Sequence, residues 1–292
     1  MCQDCGCSLP RFGMQASQHT HSTAKAPHAE LSTNLHEELS TNPQLSDAKT
    51  LSVIHKILDK NDVEAAHNRR HFEARRISAF NLMSSPGSGK TTVLEHLYEY
   101  TSIPYGVIEG DLETSKDADR LIAKGIDAIQ IQTGSACHLD AFMVHGALHR
   151  LNQKDGSIAF VENVGNLVCP ASYDVGTHRS VVLLSIPEGD DKIAKYPVMF
   201  RRADLVLITK CDLAPYFDFS IEDAKAALMA LNPHCPVIEI SVKDGRGMQE
   251  FANWLQADHQ ARFDAVEATQ FSAAASASAA SAATSTHTAE EC

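Results

Sequence analysis

Residues Ser84–Thr91 read Ser-Ser-Pro-Gly-Ser-Gly-Lys-Thr and match the phosphate-loop pattern G-x-x-x-x-G-K-S/T except that Ser84 replaces the first glycine. Glycines at 87 and 89 let backbone N–H groups turn toward phosphate oxygens, and a helix beginning near Lys90 adds its positive dipole end. We expect Lys90 to reach the β- and γ-phosphates and the Thr91 hydroxyl to bind Mg²⁺. The predicted phosphate contacts are Ser85, Pro86, Gly87, Ser88, Gly89, Lys90, Thr91 and Thr92.

A second motif indicates which nucleotide binds. Thr209-Lys210-Cys211-Asp212 resembles the Asn-Lys-x-Asp motif of P-loop GTPases, with Thr209 in place of asparagine. The Asp212 carboxylate can accept hydrogen bonds from guanine N1–H and the 2-amino group, a pair of donors that adenine lacks. The stem of Lys210 can lie along the base, and Ser241-Val242-Lys243 resembles the last guanine loop. The alternative for Asp212 is a loop carboxylate that caps Leu213 onward. In register with the phosphate loop, Asp212 predicts GTP.

Hydrolysis of GTP requires a carboxylate on the magnesium side and a positioned water, and two carboxylates follow apolar runs. Asp111 stands where a first switch loop should lie and is predicted to bind Mg²⁺; a helix N-cap is its alternative role. Glu162-Asn163-Val164-Gly165 resembles the D-x-x-G second switch, with Glu162 in place of aspartate. Gly165 could donate its N–H to the γ-phosphate. We therefore predict Lys90, Asp111, Glu162 and Gly165 as the catalytic group.

Cysteines are crowded at the start of the chain, in Cys2-x-x-Cys5-Gly6-Cys7. Thiolates bind Zn²⁺, Cu(I), Ni²⁺ and iron–sulfur centres, and three sulfurs with the backbone amine suit a planar Ni²⁺ ion. The alternative is a redox Cys-x-x-Cys pair, which no adjoining thioredoxin-like strand or helix supports.

A second candidate metal site consists of Cys137, His138 and Cys169, which stand in loops beside the second switch. Scattered cysteines are more often buried thiols, and that is the alternative here. Their placement beside the switch favours a partial tetrahedral or planar site that water or a second subunit completes.

These residues require a scaffold, and from residue 76 onward apolar β-prone runs alternate with amphipathic stretches. This alternation predicts an α/β fold with a mainly parallel sheet flanked by helices on both faces. The predicted strands are Ile77–Met83, Gly106–Glu109, Ile126–Ile131, Ile158–Glu162, Val181–Ile186, Leu205–Thr209 and Val237–Ile240. The predicted helices are about 48–70, Thr91–Tyr100, Ser115–Lys124, Leu139–Leu151, Ile221–Leu231 and Met248–Leu255. The phosphate loop thus lies between a strand and a helix, as its motif requires.

Composition divides the 292 residues into four parts. We predict an N-terminal metal-binding motif at 1–7, a flexible tether at 8–47, a GTPase domain with a leading helix at 48–262, and a disordered Ala/Ser-rich tail at 263–292. The net charge of −12 argues against nucleic acid or an anionic membrane as a partner. The chain shows neither an apolar run of spanning length nor a signal-peptide pattern, so we expect a cytoplasmic protein.

Five segments together resemble the HypB family of hydrogenase nickel incorporation proteins: Cys2–Cys7, Ser84–Thr92, Thr133–His138, Glu162–Pro170 and Glu188–Lys192. The resemblance covers 1–7 and nearly all of 76–257. It implies a SIMIBI-like P-loop NTPase that uses GTP to help insert Ni²⁺ into the large subunit of NiFe hydrogenase. It also implies a tight nickel site at the N-terminal cysteines and a weaker Ni²⁺ or Zn²⁺ site at Cys137, His138 and Cys169. The implied partners are a HypA-type accessory protein, the hydrogenase large-subunit precursor and a second copy in a GTP-dependent homodimer.

Three other functions stay open at this point. A urease-type nickel accessory GTPase is the nearest alternative, and the N-terminal cysteines favour the hydrogenase type over it. Asp212 and the paired cysteines argue against a P-loop kinase of a small metabolite. A nickel-storage protein would use the tether histidines, but there are only four, His19, His21, His28 and His36, so storage is at most secondary.

Overall fold

A computed structural model describes residues 48–264 apart from 112–114, with side chains described from residue 56 onward. Its strands are β1 (Ser78–Ser84), β2 (Tyr105–Asp111), β3 (Asp127–Gln132), β4 (Ile158–Glu162), β5 (Arg179–Ser185), β6 (Leu205–Thr209) and β7 (Val237–Glu239). They form one sheet in the order β3-β2-β4-β1-β5-β6-β7, and every neighbouring pair is parallel. The mainly parallel sheet expected from the sequence is therefore confirmed.

The helices are α1 (Ala48–Ala74), α2 (Lys90–Leu97), α3 (Lys116–Ala123), α4 (Ala141–Leu148), α5 (Lys192–Lys195), α6 (Pro197–Arg201), α7 (Ile221–Leu231) and α8 (248–264). Helix α1 precedes β1, α8 follows β7, and the other helices lie between strands, except that a 3₁₀ segment, Cys169–Ser172, lies between β4 and β5. Helix α4 starts two residues later than predicted because the Asp140 side chain caps it, accepting from Met143 N–H at 2.8 Å. The sequence did not predict α5 and α6, which are too short for a periodic pattern. No helix in the described part of the chain is both long and apolar enough to cross a bilayer.

The core lies on both faces of the central strands. All seven residues of β1 are buried, as expected for a strand with helices on both sides. Ala79 and Phe80 are neighbours on β1 but belong to different apolar clusters, because side chains alternate between faces of a strand. Phe80 packs against Phe160 of β4 and Trp254 of α8, with ring centroids 5.8 and 5.7 Å away. The sheet therefore holds the carboxyl ends of β2, β4 and β1 side by side, with that of β6 one strand farther along, beyond β5.

The domain extends past the predicted boundary at residue 262. Helix α8 continues to 264, and Phe263 is only 5% exposed. Its ring lies beneath the Arg76 guanidinium, 5.5 Å from the ring centroid, and contacts His259. The boundary was wrong because one aromatic residue at the edge of a polar tail gives too little sequence signal.

Candidate nucleotide and metal site

The phosphate loop follows β1, near the middle of the sheet, and leads into α2. Gly89 is the N-cap of that helix with φ 98°, a left-handed conformation that favours glycine. Ser84, which replaces the first glycine of the motif, ends β1 and is fully buried. Its hydroxyl accepts a hydrogen bond from Lys90 Nζ at 3.1 Å and donates to the Ser85 carbonyl at 2.8 Å. Serine at this position therefore holds the lysine that is predicted to meet the phosphates.

Gly87 and Ser88 of the phosphate loop are held by residues at or just after the carboxyl ends of β5 and β6. The Ser88 hydroxyl lies 2.6 Å from Oε1 of Glu188, and the Thr209 hydroxyl donates to the Ser88 carbonyl at 2.7 Å. Lys210 Nζ donates to the Gly87 carbonyl at 2.6 Å. Thr209, the departure from the guanine motif, thus binds the phosphate loop. Sequence reasoning missed Glu188 as a site residue, although Ser185-x-x-Glu188 is a capping-box signal.

Asp212 lies in a short 3₁₀ helix, Cys211–Tyr216, directly after β6. Ser241 donates to Asp212 Oδ1 at 3.2 Å, and Lys243 Nζ is 4.0 Å from Oδ2. Lys210 occupies the N-cap position of this 3₁₀ helix, so the capping alternative for Asp212 is wrong. The structure brings together Asp212, Ser241 and Lys243, as the sequence predicted, while Val242 packs against the core. Thr92 lies on α2, where its hydroxyl contacts Arg120 at 3.3 Å.

The magnesium side consists of residues at the ends of β2, β4 and α2. Thr91 Oγ1 donates to Glu162 Oε1 at 2.7 Å, while buried Oε2 of Glu162 has no hydrogen-bond partner within the described chain. Burial raises the pKa of Glu162. Glu109, its register partner on β2, is also buried, and burial followed by the charge of Glu162 raises the pKa of Glu109 to about 8. A hydroxyl beside buried carboxylate oxygens is a donor set that fits Mg²⁺.

Asp111 is the last residue of β2 and is partly exposed. The N-cap of α3 is Ser115, so the N-cap alternative for Asp111 is wrong. Its backbone carbonyl accepts from the Thr133 N–H at 2.9 Å. The side chain is therefore at the carboxyl edge of the sheet, where a magnesium ligand would be needed.

The predicted second switch runs from Glu162 toward the cysteines and touches the phosphate loop on its way. A Cβ built on Gly165 would lie 2.7 Å from Cα of Pro86, so this close approach requires glycine. The Asn163 side chain accepts from Leu139 N–H at 3.0 Å, in the segment that carries His138. Asn166 Nδ2 donates to the Cys137 carbonyl at 3.3 Å. One short segment therefore contacts both predicted sites.

Cys137, His138 and Cys169 converge, as the sequence predicted. The two Sγ atoms are 3.0 Å apart, and Cys137 Sγ is 3.6 Å from His138 Nδ1. The His138 ring stacks on Tyr173, with centroids 3.9 Å apart, a contact that the sequence did not reveal. Burial, followed by the side-chain hydrogen bond with Cys137, raises the pKa of Cys169. Two sulfurs and one nitrogen at this spacing can hold one borderline metal ion.

The other two described cysteines differ from this pair. Burial raises the pKa of Cys211 and of Cys235 to about 11 each, so both are protonated at neutral pH. Cys2, Cys5 and Cys7 lie outside the described residues, as do the tether histidines. The N-terminal nickel site therefore stays a prediction.

Comparison with known proteins places the chain. A family model described as CobW/HypB/UreG, nucleotide-binding domain, matches residues 78–239. The hydrogenase/urease maturation factor HypB of Helicobacter pylori is 45% identical over 223 residues, which are 75% of this chain and 92% of that protein. The chain belongs to the HypB family. The hydrogenase maturation factor HypB of Escherichia coli is 48% identical over 229 residues, 77% of this chain and 79% of that protein.

Solved structures of HypB proteins share this fold. HypB from Helicobacter pylori in complex with nickel has a TM-score of 0.66 and 44% identity, covering 69% of this chain and 95% of that one. HypB from Archaeoglobus fulgidus has a TM-score of 0.65 and 36% identity, covering 69% of this chain and all of that one. The CobW/HypB/UreG match, residues 78–239, includes the phosphate loop, the predicted second switch and the cysteine pair. The resemblance read from the sequence motifs is therefore confirmed.

Proposed function

We propose that this protein is a GTP-hydrolysing nickel metallochaperone that supplies Ni²⁺ to the large subunit of NiFe hydrogenase. The observation that carries the proposal is that the segment from Glu162 to Cys169 contacts both the phosphate loop and the metal-ligating group. It contacts the phosphate loop through Glu162 and Gly165, and it reaches the metal-ligating group through Asn166 and Cys169. The names of the HypB relatives and the nickel-bound HypB structure support the choice of metal and target.

Recognition of GTP rests on residues after β6 and β7. Asp212 would accept from guanine N1–H and the 2-amino group, and the Ser241 hydroxyl orients its carboxylate. Lys90 would bind the terminal phosphates, as the strand–loop–helix context of its motif indicates. Lys210 ties the guanine-reading segment to the Gly87 carbonyl, so base and phosphates are read by connected elements.

In hydrolysis, water attacks the γ-phosphorus and the bond to the β-phosphate oxygen breaks, giving GDP and phosphate. Thr91 and Asp111 would hold Mg²⁺, which neutralises charge on the β- and γ-phosphates when bound. Glu162 holds the Thr91 hydroxyl and would stand on the γ-phosphate side of the site. Gly165 N–H would contact the γ-phosphate, so loss of that group would change the position of the segment that ends in Cys169.

Cys137, His138 and Cys169 would carry Ni²⁺, with Zn²⁺ as a competing ion. Three protein ligands leave the coordination incomplete, so we propose that a second copy completes it in a GTP-dependent homodimer. If the ligand geometry differs between GTP and GDP states, the metal affinity must differ as well, and linkage makes the effect reciprocal. The N-terminal cysteines would hold a separate, tighter nickel ion, and a HypA-type protein would act as accessory partner.

The test uses the full chain with Cys2, Cys5 and Cys7 replaced by Ala. Its Ni²⁺ affinity is measured with GDP and with a non-hydrolysable GTP analogue, together with the GTP hydrolysis rate of the same sample. We expect different nickel affinities in the two nucleotide states, and we expect Cys169→Ser to remove the difference. Cys235→Ser is the matched control, because that thiol lies away from the site. Equal affinities in the two nucleotide states would contradict the proposed coupling.

Urease is a second candidate target, because the Helicobacter relatives are named hydrogenase/urease maturation factors. The two targets are separated by nickel transfer from the loaded chain to a hydrogenase large-subunit precursor or to urease apoprotein. We expect faster transfer to the hydrogenase precursor. Faster transfer to urease would assign the alternative.

A further inference from the structure

Four histidines and one glutamate gather between α1 and the end of α4, away from the cysteine pair. Glu64, His67 and His71 stand one turn apart on α1, while His145 lies on α4 and His149 at its end. The His67 and His145 ring centroids are 4.9 Å apart, those of His145 and His149 are 4.7 Å apart, and those of His71 and His149 are 5.3 Å apart. The nucleotide and cysteine sites use none of these side chains.

The atoms that face one another in this cluster are metal-donor atoms. Nε2 of His145 lies 3.3 Å from Nε2 of His149. Two nitrogens on a tetrahedral Zn²⁺ ion, at bonds of roughly 2.0–2.1 Å, lie about 3.3 Å apart, so the observed spacing equals that of two ligands on one ion. Ligand atoms of His67 and Glu64 lie within 4.8 Å of each other and of His145.

The other nitrogen of His145 is held as metal-binding histidines are held. His145 Nδ1 lies 3.0 Å from Asn68 Oδ1 and 3.2 Å from Glu64 Oε1. His67 Nδ1 lies 3.7 Å from the same Glu64 oxygen. A carboxylate or amide oxygen on Nδ1–H fixes the tautomer and leaves the Nε2 lone pair for an ion. Glu64 is placed to do this for His145, and the same oxygen stands near Nδ1 of His67.

A separate observation concerns His71. This side chain is 5% exposed, and its Nε2 has no hydrogen-bond partner among the described residues. This nitrogen is a further donor atom beside the cluster, next to His149.

We propose that Nε2 of His145 and Nε2 of His149 bind one divalent transition-metal ion of the zinc class, with Glu64 as the positioning residue. The remaining positions are left to water, because His149 is exposed. Through Glu64 of α1, the site would tie α1 to α4. The Cys137–His138 pair precedes the other end of α4, which is about 12 Å long. Two ion sites would thus lie at opposite ends of one helix, and the histidine site does not depend on nucleotide hydrolysis.

The test uses the full chain with Cys2, Cys5, Cys7, Cys137 and Cys169 each replaced by Ser, so that these thiolates do not contribute. Zn²⁺ is the probe, measured by equilibrium dialysis with metal analysis. We expect the double variant His145→Gln/His149→Gln to bind one equivalent less than this parent. We expect Glu64→Gln to lower the affinity by about 10–100-fold, the usual effect of losing the partner of a metal-binding histidine. His234→Gln, an exposed histidine elsewhere, is the control and should bind as the parent does.

Unfolding temperatures separate ion binding from damage to the fold. With a chelator present, parent and His149→Gln should unfold at the same temperature, and added Zn²⁺ should stabilise only the parent. Co²⁺ at this site should give visible bands without thiolate charge transfer. An unchanged zinc equivalent in the double variant would overturn the proposal, as would an equal loss in His234→Gln.

Discussion

Replacement of Gly165 by alanine should disturb the phosphate loop directly. A Cβ at this position would meet Cα, N and Cγ of Pro86 at 2.7, 2.8 and 3.0 Å. Ordinary van der Waals contact begins near 3.4 Å, so the two backbones must separate by roughly 0.7 Å. Because the obstacle is backbone rather than a flexible side chain, the strain cannot be relieved by a rotamer change. Overpacking of this kind costs about 1–3 kcal/mol.

The cost should appear in nucleotide binding as well as in stability. If the phosphate loop needs its present position to bind phosphates, 1–3 kcal/mol corresponds to about a 5- to 150-fold loss of GTP affinity. Affinity is measured by titration with a fluorescent GTP analogue, and the free energy of unfolding by urea denaturation. Gly146→Ala on α4 is the matched control, since its Cβ would meet no atom within 4 Å and alanine favours helix.

The opposite result has a clear meaning. If Gly165→Ala binds GTP as tightly as the parent and unfolds at the same urea concentration, the Gly165–Pro86 contact carries no functional constraint. The proposed coupling between the phosphate loop and Cys169 would then have no support from this contact. A loss of affinity in Gly146→Ala of the same size would show that the effect is not specific to this contact.

Three further substitutions test other parts of the site. Asp212→Asn should lower GTP affinity by about 100-fold or more and favour xanthosine triphosphate, because the 2-oxo group of that base accepts a hydrogen bond from the new amide. Competition binding of the two nucleotides measures the change, and an unchanged preference for GTP would contradict the assignment. Glu188→Ala should lower the free energy of unfolding by about 1–3 kcal/mol in urea titrations, because the Ser88 and Ser185 donors lose their acceptor, while Glu188→Gln should lose less. Burial, followed by the charges of Arg262 and Arg69, lowers the pKa of His178 to about 3, and its Nδ1 accepts from Ala79 N–H. Since unfolded histidine titrates near 6.5, the unfolded state binds more protons below that pH, and stability should fall by about 2 kcal/mol from pH 6.5 to 5. His178→Gln should flatten this slope, and an equal slope would refute the assignment.

The sequence predicted the sheet well because its strands are continuous apolar runs that end in recognisable motifs. Leu205–Thr209 and Ile158–Glu162 were predicted to the residue, since each is bounded by a polar motif. Helices α5 and α6 were not predicted, because four or five residues do not complete a periodic pattern. Local signals therefore suffice where an element is long or ends in a motif.

Contacts between distant segments were the part that sequence could not supply. Cys137 and Cys169 were paired by their position relative to the switch, and the structure brings their sulfurs together. Glu188, 100 residues from Ser88, left only a capping signal. His67 and His145 each read as ordinary helical histidines until the packing of α1 on α4 is known. Spacing along one chain does not reveal which helix faces meet.

Three side chains from distant parts of the sequence hydrogen-bond to the phosphate loop. Glu188, Thr209 and Lys210 hold Ser88 and Gly87 through bonds of 2.6, 2.7 and 2.6 Å. The loss of conformational entropy for this loop therefore belongs to folding and is not subtracted from the binding free energy of each nucleotide. Successive rounds of nucleotide exchange can therefore use a phosphate loop that is already ordered.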